Sequence, residues 1–489
     1  MNYTMLIAVL AYEVVLIVGL GLWIQRRQAA HSEKDEFALA GRSLPVSVVA
    51  VTLALTVLGT AHILGVFEMA WILGAAAVWF SLAHVILLVV VCLGTGVWVR
   101  RLGVTTVPQL LDSAYGLETR LCVSCVMAGV MFGILTVEAQ GIGIIFASLT
   151  DWDIASGAIV GGVIGILYVI LAGMKEIGWV NLVNATVMYI GLILATVYVA
   201  FNLPGGNFDS VANFYVQQDQ DFMLSIFGNT QIIQTFVLGT IVAVVFSQGT
   251  NQMLMQVAMA AESEKVIRKA LWIAAPVNGL FGVFAVSLGL AAKSIPEFQV
   301  LGQKVAATSM LVSYLPPWLG ALLLASFLAA ILSTFAILAL AIATIFANDI
   351  FKPLYKPDAT EAVQTRTIRL TIVIVAGIAI GVAAFLPPIL AAMNWLFAWL
   401  VPVFWVVVFG LFWKRHQGVA ITALLVSWLL NSLWSFTELS TAVGFPNAPN
   451  AYVTLVVTLA ILIPGNFLVS GAPGILRHKD TEPPATAGA

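Results

Sequence analysis

The sequence predicts an all-α integral membrane protein with about thirteen transmembrane helices. Of its 489 residues, 61% are hydrophobic and only 9% are charged. The chain therefore lacks the polar side chains needed to cover a soluble globule of this size. Apolar runs of about 20 residues, which span ~30 Å of hydrocarbon as helices, recur along the whole sequence. The distribution of Lys and Arg residues supports the same architecture.

The first apolar run is predicted to be a membrane anchor and not a secretion signal. No positive charge precedes it, and Arg26 and Arg27 follow it, which places its start outside the cell. The thirteen predicted spans are centred on 4–24, 45–68, 72–97, 120–149, 155–173, 178–201, 231–257, 270–292, 317–348, 368–387, 391–413, 417–436 and 451–470.

Alternate threading of these spans separates the basic residues. Of the 21 Lys and Arg residues, only Lys293 and Lys304 fall on one side, and all the others fall on the opposite side. Positive charge concentrates on the cytoplasmic side of membrane proteins. The sequence therefore predicts a plasma-membrane protein, the inner membrane in a bacterium, with its N-terminus outside and its C-terminus in the cytoplasm.

Several classes of protein are excluded. The net charge of −2, without a concentrated basic stretch, gives no reason to expect nucleic-acid binding. Cys122 and Cys125 form the one C-x-x-C pair, too few ligands for a structural zinc, and are interpreted as packing residues. The spans show no nucleophile with a base and no metal-ligand cluster, so neither an enzyme nor a cofactor is predicted.

Two spans are interrupted by glycine and polar residues. The second contains TVLGTAH at 56–62, and the seventh contains SQGTNQ at 247–252. Such segments can be close-packing sites, but a matched pair favours unwound helices whose free carbonyls bind ions or solutes. The two spans lie five apart, which predicts inverted repeats formed by spans two to six and seven to eleven.

The ninth span carries two adjacent hydroxyls, Ser333 and Thr334, in an otherwise apolar helix. Each hydroxyl could simply bond to the carbonyl one turn back. Alternatively, the two hydroxyls and the carbonyls of a broken helix could together bind a hard cation such as sodium.

The chain resembles the sodium:solute symporter family from residue 36 to about 418. The segments that carry the likeness are FALAGRSLP at 37–45, AGMK at 172–175 with Trp179, Gln256 with AAESEK at 260–265, AAILST at 329–334 with NDI at 348–350, and FWKR at 412–415 before Gly418. The resemblance implies a leucine-transporter-like core of five plus five helices in inverted repeats.

The resemblance also implies a sodium site between the second and ninth spans. Its carbonyl donors would be Leu55, Leu58 and Ala330, and its hydroxyl donors would be Ser333 and Thr334. Some members bind a second sodium ion through an aspartate and two further hydroxyls. Here those positions hold Asn181, Ala336 and Ile337, so one sodium ion per cycle is expected.

The same comparison bears on the solute. Sugar carriers of this family use an asparagine in the broken second span, where this chain has Val57, and the aspartate of proline-type members near that point is also missing. The residues expected at the central cavity are His62, Ser81, His84, Glu138, Gln140 and Gln252. Ionisable groups at mid-membrane are costly and are therefore functional candidates.

These candidates favour an amino acid or a monocarboxylate over a sugar. Protonated His62 and His84 could bind a carboxylate, and Glu138 could bind an ammonium group. The alternative interpretations are neutral imidazoles bonded between helices and a carboxyl group that fixes helix packing.

The predicted function is uptake of a small organic solute coupled to sodium across the lipid bilayer. The alternatives are a proton-coupled symporter of the same fold and a solute-sensing module. The predicted divisions are 1–44, an extra helix with a loop; 45–230, the first repeat; 231–416, the second repeat; and 417–489, two further helices with a short tail. The sequence does not indicate an oligomeric state.

Overall fold

The computed structural model describes residues 3–20, 36–150, 152–171, 174–383 and 389–476 and is almost entirely helical. Ten of its helices are long and apolar enough to cross a membrane, and shorter apolar helices cover Tyr3–Leu16, Val46–Val57 and Ile154–Ile170. The predicted all-α membrane architecture is confirmed. The loop with Arg26, Arg27 and Lys34, and the tail after residue 476, lie outside the described residues.

The first half of the chain contains one helix that is interrupted at residues 58–59. The helices are α1 (Tyr3–Glu13), α2 (Glu36–Leu39), α3 (Val46–Val57), α4 (Thr60–Leu73), α5 (Trp79–Ile86), α6 (Cys92–Leu102), α7 (Val107–Tyr115), α8 (Leu117–Leu149), α9 (Ile154–Leu171), α10 (Met174–Asn202) and α11 (Asp209–Gln217). Wider π-type turns continue α1 over Val14–Leu20 and join α5 to α6 over Leu87–Val91.

The second half repeats this order. Its helices are α12 (Thr230–Ile232), α13 (Leu238–Gln248), α14 (Gln252–Ala260), α15 (Glu264–Ser294), α16 (Pro296–Gln299), α17 (Ala306–Tyr314), α18 (Pro317–Ile345), α19 (Lys352–Tyr355), α20 (Glu361–Ala383), α21 (Ile389–Ala398), α22 (Val401–Phe412), α23 (Gln417–Phe436), α24 (Leu439–Ala442) and α25 (Asn450–Leu468). Two short antiparallel strands, β1 (Lys414–Arg415) and β2 (Ala472–Pro473), pair near the end of the described chain.

Each half contains a broken helix, a long second span, a short helix, a long third span and two more spans. In the first half the broken helix is α3–α4 and the short helix is α7; in the second half they are α13–α14 and α17. Because each half has five spans, the second half runs through the membrane in the opposite direction to the first. Each of the thirteen predicted spans has a helix within the described residues.

Local sequence explains where several helices begin and turn. Thr106 caps α7 by accepting a hydrogen bond from the Gln109 N–H, and Ser263 caps α15 by accepting one from the Val266 N–H. After α4 the chain reverses at Gly74, whose φ of 71° favours glycine.

Helix α18 lies at the centre of the bundle. It packs against α1, α3, α8, α9, α10 and α20. Every residue of its most apolar 18-residue window is buried. A helix that is apolar all round is expected in such a position, so the few hydroxyl groups on α18 face protein and not lipid.

Helices α8 and α9 approach closely at Gly157. A Cβ atom there would lie 2.8 Å from Phe146 Cβ and 2.9 Å from the Gly143 carbonyl oxygen. Gly377 on α20, in contrast, has nothing within 4 Å of that position. Gly157 is therefore a closely packed site and Gly377 an open one. Because both lie on membrane helices, the two form a matched pair for substitution.

We expect Gly157→Ala to destabilise the protein by about 1–3 kcal/mol, because the backbone of α8 must move to admit the methyl group. Gly377→Ala should leave the stability unchanged or raise it by up to about 1 kcal/mol, since Ala is the better helix former. Thermal unfolding of the purified variants, followed through exposure of the buried Cys92 thiol, measures the difference. Equal midpoints would contradict the packing described here.

Candidate functional site

The first broken helix supplies free backbone groups inside the bundle. Helix α3 ends at Val57, Leu58 (ψ 49°) and Gly59 (ψ −159°) leave the helical conformation, and α4 begins at Thr60. The Leu58 N–H still donates to the Leu55 carbonyl oxygen at 3.0 Å. An interruption of this kind turns carbonyl groups away from the helix axis, where side chains or ions can reach them.

The hydroxyl-bearing segment of α18 lies against this break. Thr334 Oγ1 donates to the Leu55 carbonyl oxygen at 3.2 Å and is also 3.2 Å from the Ala330 carbonyl oxygen. Ser333 is buried, and its Oγ has no hydrogen-bond partner among the described residues. The structure thus brings together three of the five oxygens expected at the sodium site, those of Leu55, Ala330 and Thr334. Ser333 directly precedes Thr334, and Leu58 lies three residues after Leu55.

The positions that the resemblance associates with a second sodium ion hold Asn181, Ala336 and Ile337 in this chain. Asn181 on α10 is buried, and neither of its side-chain polar atoms has a hydrogen-bond partner among the described residues. Ala336 and Ile337 on α18 are buried and apolar. These three side chains provide one amide and no carboxylate.

The side chain of Glu138, a residue of α8, contacts the first residue of α4. Its Oε2 accepts a hydrogen bond from the Thr60 N–H at 2.7 Å. A Cβ atom on Gly59 would lie 2.3 Å from Glu138 Oε1, and one on Gly141 would lie 2.0 Å from Thr60 Oγ1. The carboxylate expected at the solute cavity is therefore in close contact with the backbone of the break.

Two buried histidines form an aromatic cluster just beyond the break. The rings of His62 on α4 and His84 on α5 have centroids 4.5 Å apart, and the Phe80 ring lies 4.7 Å from His62 and 5.1 Å from His84. Nδ1 of His84 is 2.8 Å from the Phe80 carbonyl oxygen. Neither ring nitrogen of His62 has a partner among the described residues.

Ser81 and Gln140 are also buried near these elements. The Ser81 hydroxyl faces α15, where a Cβ atom on Gly282 would come within 2.5 Å of its Oγ. Neither this Oγ nor Gln140 Oε1 has a hydrogen-bond partner among the described residues. Both side chains thus retain hydrogen-bonding capacity inside the bundle.

The side chain of Gln252, which the sequence predicts at the central cavity, bonds to the loop before α7. Its Oε1 accepts a hydrogen bond from the Val107 N–H at 2.9 Å, and its Nε2 donates to the Thr105 carbonyl oxygen at 3.1 Å and to Gln256 Oε1 at 3.3 Å. The side chain therefore ties α14 to the loop before α7. The placement of Gln252 at the central cavity stays a prediction, and its side-chain groups already have partners within the protein.

The second break contains polar groups that the sequence interpretation did not assign to the solute site. Asn251 Nδ2 donates to Gln248 Oε1 at 2.9 Å, which leaves Gln248 Nε2 and Ser247 Oγ buried without partners among the described residues. Helix α13, which carries Ser247 and Gln248, packs against α5. The sequence does contain a signal for Ser247 and Gln248, because both directly precede Gly249 in an apolar run.

One end of the bundle carries a network of charged and polar groups, here called the basic-face network. Arg120 donates to Asp349 Oδ1 at 2.8 Å, to Asp112 Oδ2 at 2.9 Å and to the Asn348 carbonyl oxygen at 2.7 Å. Thr106 Oγ1 donates to the same oxygen of Asp349 at 2.9 Å. The network joins the α6–α7 loop, α7, α8 and the end of the span that begins with α18.

Hydrogen bonds to backbone groups link the two broken helices at the same end of the bundle. The Leu44 N–H donates to the Ala260 carbonyl oxygen, and the Glu262 N–H donates to the Leu44 carbonyl oxygen, each at 3.1 Å. Arg100 Nε donates to the Ala261 carbonyl oxygen at 3.0 Å. The segment that leads into α3 is therefore fastened to the segment that follows α14.

Two broken helices in inverted repeats, with unpartnered polar groups between them, define a membrane transporter. The sequence model of the sodium:solute symporter family matches residues 37–426, which is most of the chain. The chain belongs to this family. It is a sodium-coupled solute symporter and multi-pass membrane protein, and it is not an enzyme.

Known proteins support the assignment. The sodium/glucose cotransporter of Vibrio parahaemolyticus is 24% identical over 445 residues, 84% of this chain and 81% of the relative. The sodium/pantothenate symporter of Escherichia coli (strain K12) is 24% identical over 492 residues, 96% and 97% of the two chains. The structure of a Na⁺-coupled sialic acid symporter in a substrate-bound outward-open state is 16% identical, covers 97% of this chain and 98% of its own, and has a TM-score of 0.80. At that identity the structural likeness shows the fold.

Arg120→Ala should destabilise the protein by about 3–5 kcal/mol, because it leaves the buried Asp349 carboxylate without its cation. The double substitution Arg120→Ala/Asp349→Ala removes both charged groups and should therefore destabilise the protein less than Arg120→Ala alone. Thermal unfolding of the purified variants tests this. The control is Arg101→Ala, which breaks an exposed pair with Glu264 and should cost only about 0–1 kcal/mol. Similar losses in the two single variants would count against a structural role for the network.

Proposed function

We propose that the protein imports a small carboxylate-bearing solute, an amino acid or a monocarboxylate rather than a sugar, together with one sodium ion. The observation that carries this proposal is the arrangement of Thr334 between two backbone carbonyls at the break, together with the buried His62–His84 pair, of which His62 lies on the helix that follows the break. The ion and solute sites would then share one broken helix.

The proposed sodium ligands are the carbonyl oxygens of Leu55, Leu58 and Ala330 and the hydroxyl oxygens of Ser333 and Thr334. Hard cations prefer oxygen ligands, and broken helices supply them within membranes. The unpartnered Ser333 hydroxyl supports the proposal, because a buried hydroxyl without a partner is costly and an ion would satisfy it. The single ion follows from the lack of a carboxylate at Asn181.

The proposed solute site is formed by His62 and His84, with Ser81 and Gln140 nearby. The N–H of His62, whose ring nitrogens have no partner among the described residues, can donate to a carboxylate with little competition from water. His84 would donate through Nε2 when its ring is protonated, because its Nδ1–H is bonded to the Phe80 carbonyl oxygen. Glu138 is less suited to bind the ammonium group of an amino acid, since its carboxylate accepts the Thr60 N–H. This contact favours a monocarboxylate within the proposed class. Gln248 and Ser247 are added to the proposed solute site because each has a buried polar atom without a partner among the described residues.

The basic face is proposed to be cytoplasmic, with the N-terminus outside, because Lys and Arg concentrate there. The transport core would consist of 45–230 and 231–416, with 1–44 and 417–489 outside it. Sodium bound between α3 and α18 would favour the state in which the basic-face network is closed, and its loss would favour opening. Symport requires such differential affinity for two states.

Ser333→Ala or Thr334→Ala should raise the sodium concentration for half-maximal uptake about tenfold, equivalent to ~1.4 kcal/mol, because each change removes one ligand. The measurement is uptake by proteoliposomes of a panel of labelled monocarboxylates, amino acids and sugars, with an imposed sodium gradient or proton gradient.

Ser326→Ala is the matched control, since Ser326 lies two turns away on α18 and its hydroxyl bonds to the Leu323 carbonyl oxygen. It should leave the sodium dependence unchanged. Accumulation driven by a proton gradient in the absence of sodium would overturn the coupling ion and favour the proton-coupled alternative.

Replacing His62 or His84 by Phe keeps an aromatic ring beside Phe80 but removes the nitrogen donors. Each variant should raise the KM for the carboxylate solute about tenfold, ~1.4 kcal/mol, while the sodium half-saturation concentration stays within about twofold. Uptake kinetics at saturating sodium measure both values. His416→Asn, at the capping position of α23, is the control and should behave like the native chain. Unchanged KM values in both Phe variants would remove the histidines from the site.

A further inference from the structure

The N-terminus of α4 is occupied by a carboxylate of the protein itself. Helix α4 is 14 residues long, and its first N–H, at Thr60, donates to Glu138 Oε2 at 2.7 Å. The N–H groups of His62 and Ile63 donate to the Gly59 carbonyl oxygen at 3.0 and 2.9 Å. A helix N-terminus of this kind attracts anions through its free N–H groups and its dipole. Here most of those groups are already bonded within the protein.

The contact depends on two glycines that face each other across α4 and α8. A Cβ atom on Gly59 would lie 2.3 Å from Glu138 Oε1, and a Cβ atom on Gly141 would lie 2.0 Å from Thr60 Oγ1. Any larger residue at either position would separate α8 from the break. The close approach of the Glu138 carboxylate to the backbone is therefore a specific feature of the packing.

The position of Glu138 links it to the ion site. Thr60 lies two residues after Leu58, and only Gly59 separates them. Leu55 and Leu58, two of the proposed sodium ligands, thus lie on one side of Gly59, and the contact of Thr60 with Glu138 lies on the other side. Fixing Thr60 restricts the directions in which the Leu58 carbonyl can point.

We propose that Glu138 is a positioning residue for sodium: by binding the start of α4 it holds the break in the conformation that presents the Leu55 and Leu58 carbonyls to the ion. This inference rests on the sodium site proposed above. It also implies that a solute carboxylate binds at the histidine pair and not at the N-terminus of α4, because that terminus already holds a carboxylate.

The experiment compares Glu138→Gln, Glu138→Ala and Gly141→Ala in purified protein. Gly141→Ala keeps the carboxylate but pushes it away from Thr60, so it tests the contact and not the acid. Gly129→Ala is the matched control on the same helix, since nothing lies within 4 Å of its Cβ position. Two quantities are measured: the rise in unfolding temperature that sodium produces relative to choline, without solute, and the solute KM at saturating sodium.

Glu138→Ala and Gly141→Ala should raise the sodium half-saturation concentration about tenfold or more, whereas Glu138→Gln, which keeps a neutral acceptor, should raise it about threefold. Gly129→Ala should match the native chain. The solute KM at saturating sodium should stay within about twofold in all variants, which separates ion positioning from general damage to the fold.

Two results would overturn the proposal. A raised solute KM with unchanged sodium half-saturation would make Glu138 a solute ligand, and equal behaviour of Gly141→Ala and Gly129→Ala would show that the contact does not matter. Failure of the sodium site itself is distinguishable, because Ser333→Ala would then leave the sodium-dependent stabilisation of the protein unchanged.

Discussion

The organisation of the core depends on satisfying the backbone of one broken helix. Inside a membrane, polar backbone groups without partners cost several kcal/mol each, so a helix breaks there only where protein, water or a ligand replaces the lost bonds. At the end of α3, Asn278 Nδ2 of α15 donates to the Ala54 carbonyl oxygen at 3.4 Å, and Thr334 of α18 donates to that of Leu55. Glu138 of α8 accepts the first N–H of α4. Three helices are thus held around the break by hydrogen bonds as well as by apolar packing.

The same arrangement connects the ion site to the basic face. Helix α18 carries Ser333 and Thr334 in its middle, and the span that it begins continues through a π-type segment (Phe346–Phe351) that contains Asp349. Asp349 is held by Arg120 and Thr106 at the basic face. The hydroxyl pair and the network are therefore connected through one continuous helical span. An ion at the proposed sodium site would require the Thr334 hydroxyl to turn its proton away from the carbonyls, which would change the hydrogen bonding between α3 and α18.

The sequence was sufficient to predict the fold and to select candidates for the site. Composition, the Lys and Arg distribution and the paired glycine-containing spans predicted the helices and the repeat, since each is a property of local sequence. Ser333, Thr334 and the histidines became candidates because polar residues stand out in apolar helices. The partners of Gln252 could not be predicted, because the direction of its side chain depends on the residue at which the helix resumes, and α14 begins at Gln252 itself.

Contacts between distant segments could not be predicted in this way. Glu138 was recognised as a buried acid, but its partner depends on how closely α4 and α8 approach, which Gly59 and Gly141 determine together. Arg120 was counted among the basic residues, yet its three acceptors come from segments as far as 229 residues away in the chain. Such pairs become visible only when the helices are assembled.

The two breaks are held differently. The first is held by side chains from three other helices, whereas in the second Asn251 bonds to Gln248 and accepts the Met253 N–H, so much of that turn is stabilised from within its own segment. A self-contained turn tolerates replacement of its neighbours more readily than a turn that depends on them. The surroundings of the second break, where Ser247 and Gln248 of the proposed solute site lie, can therefore change with less damage to the fold than the surroundings of the first break, which carries the proposed ion ligands.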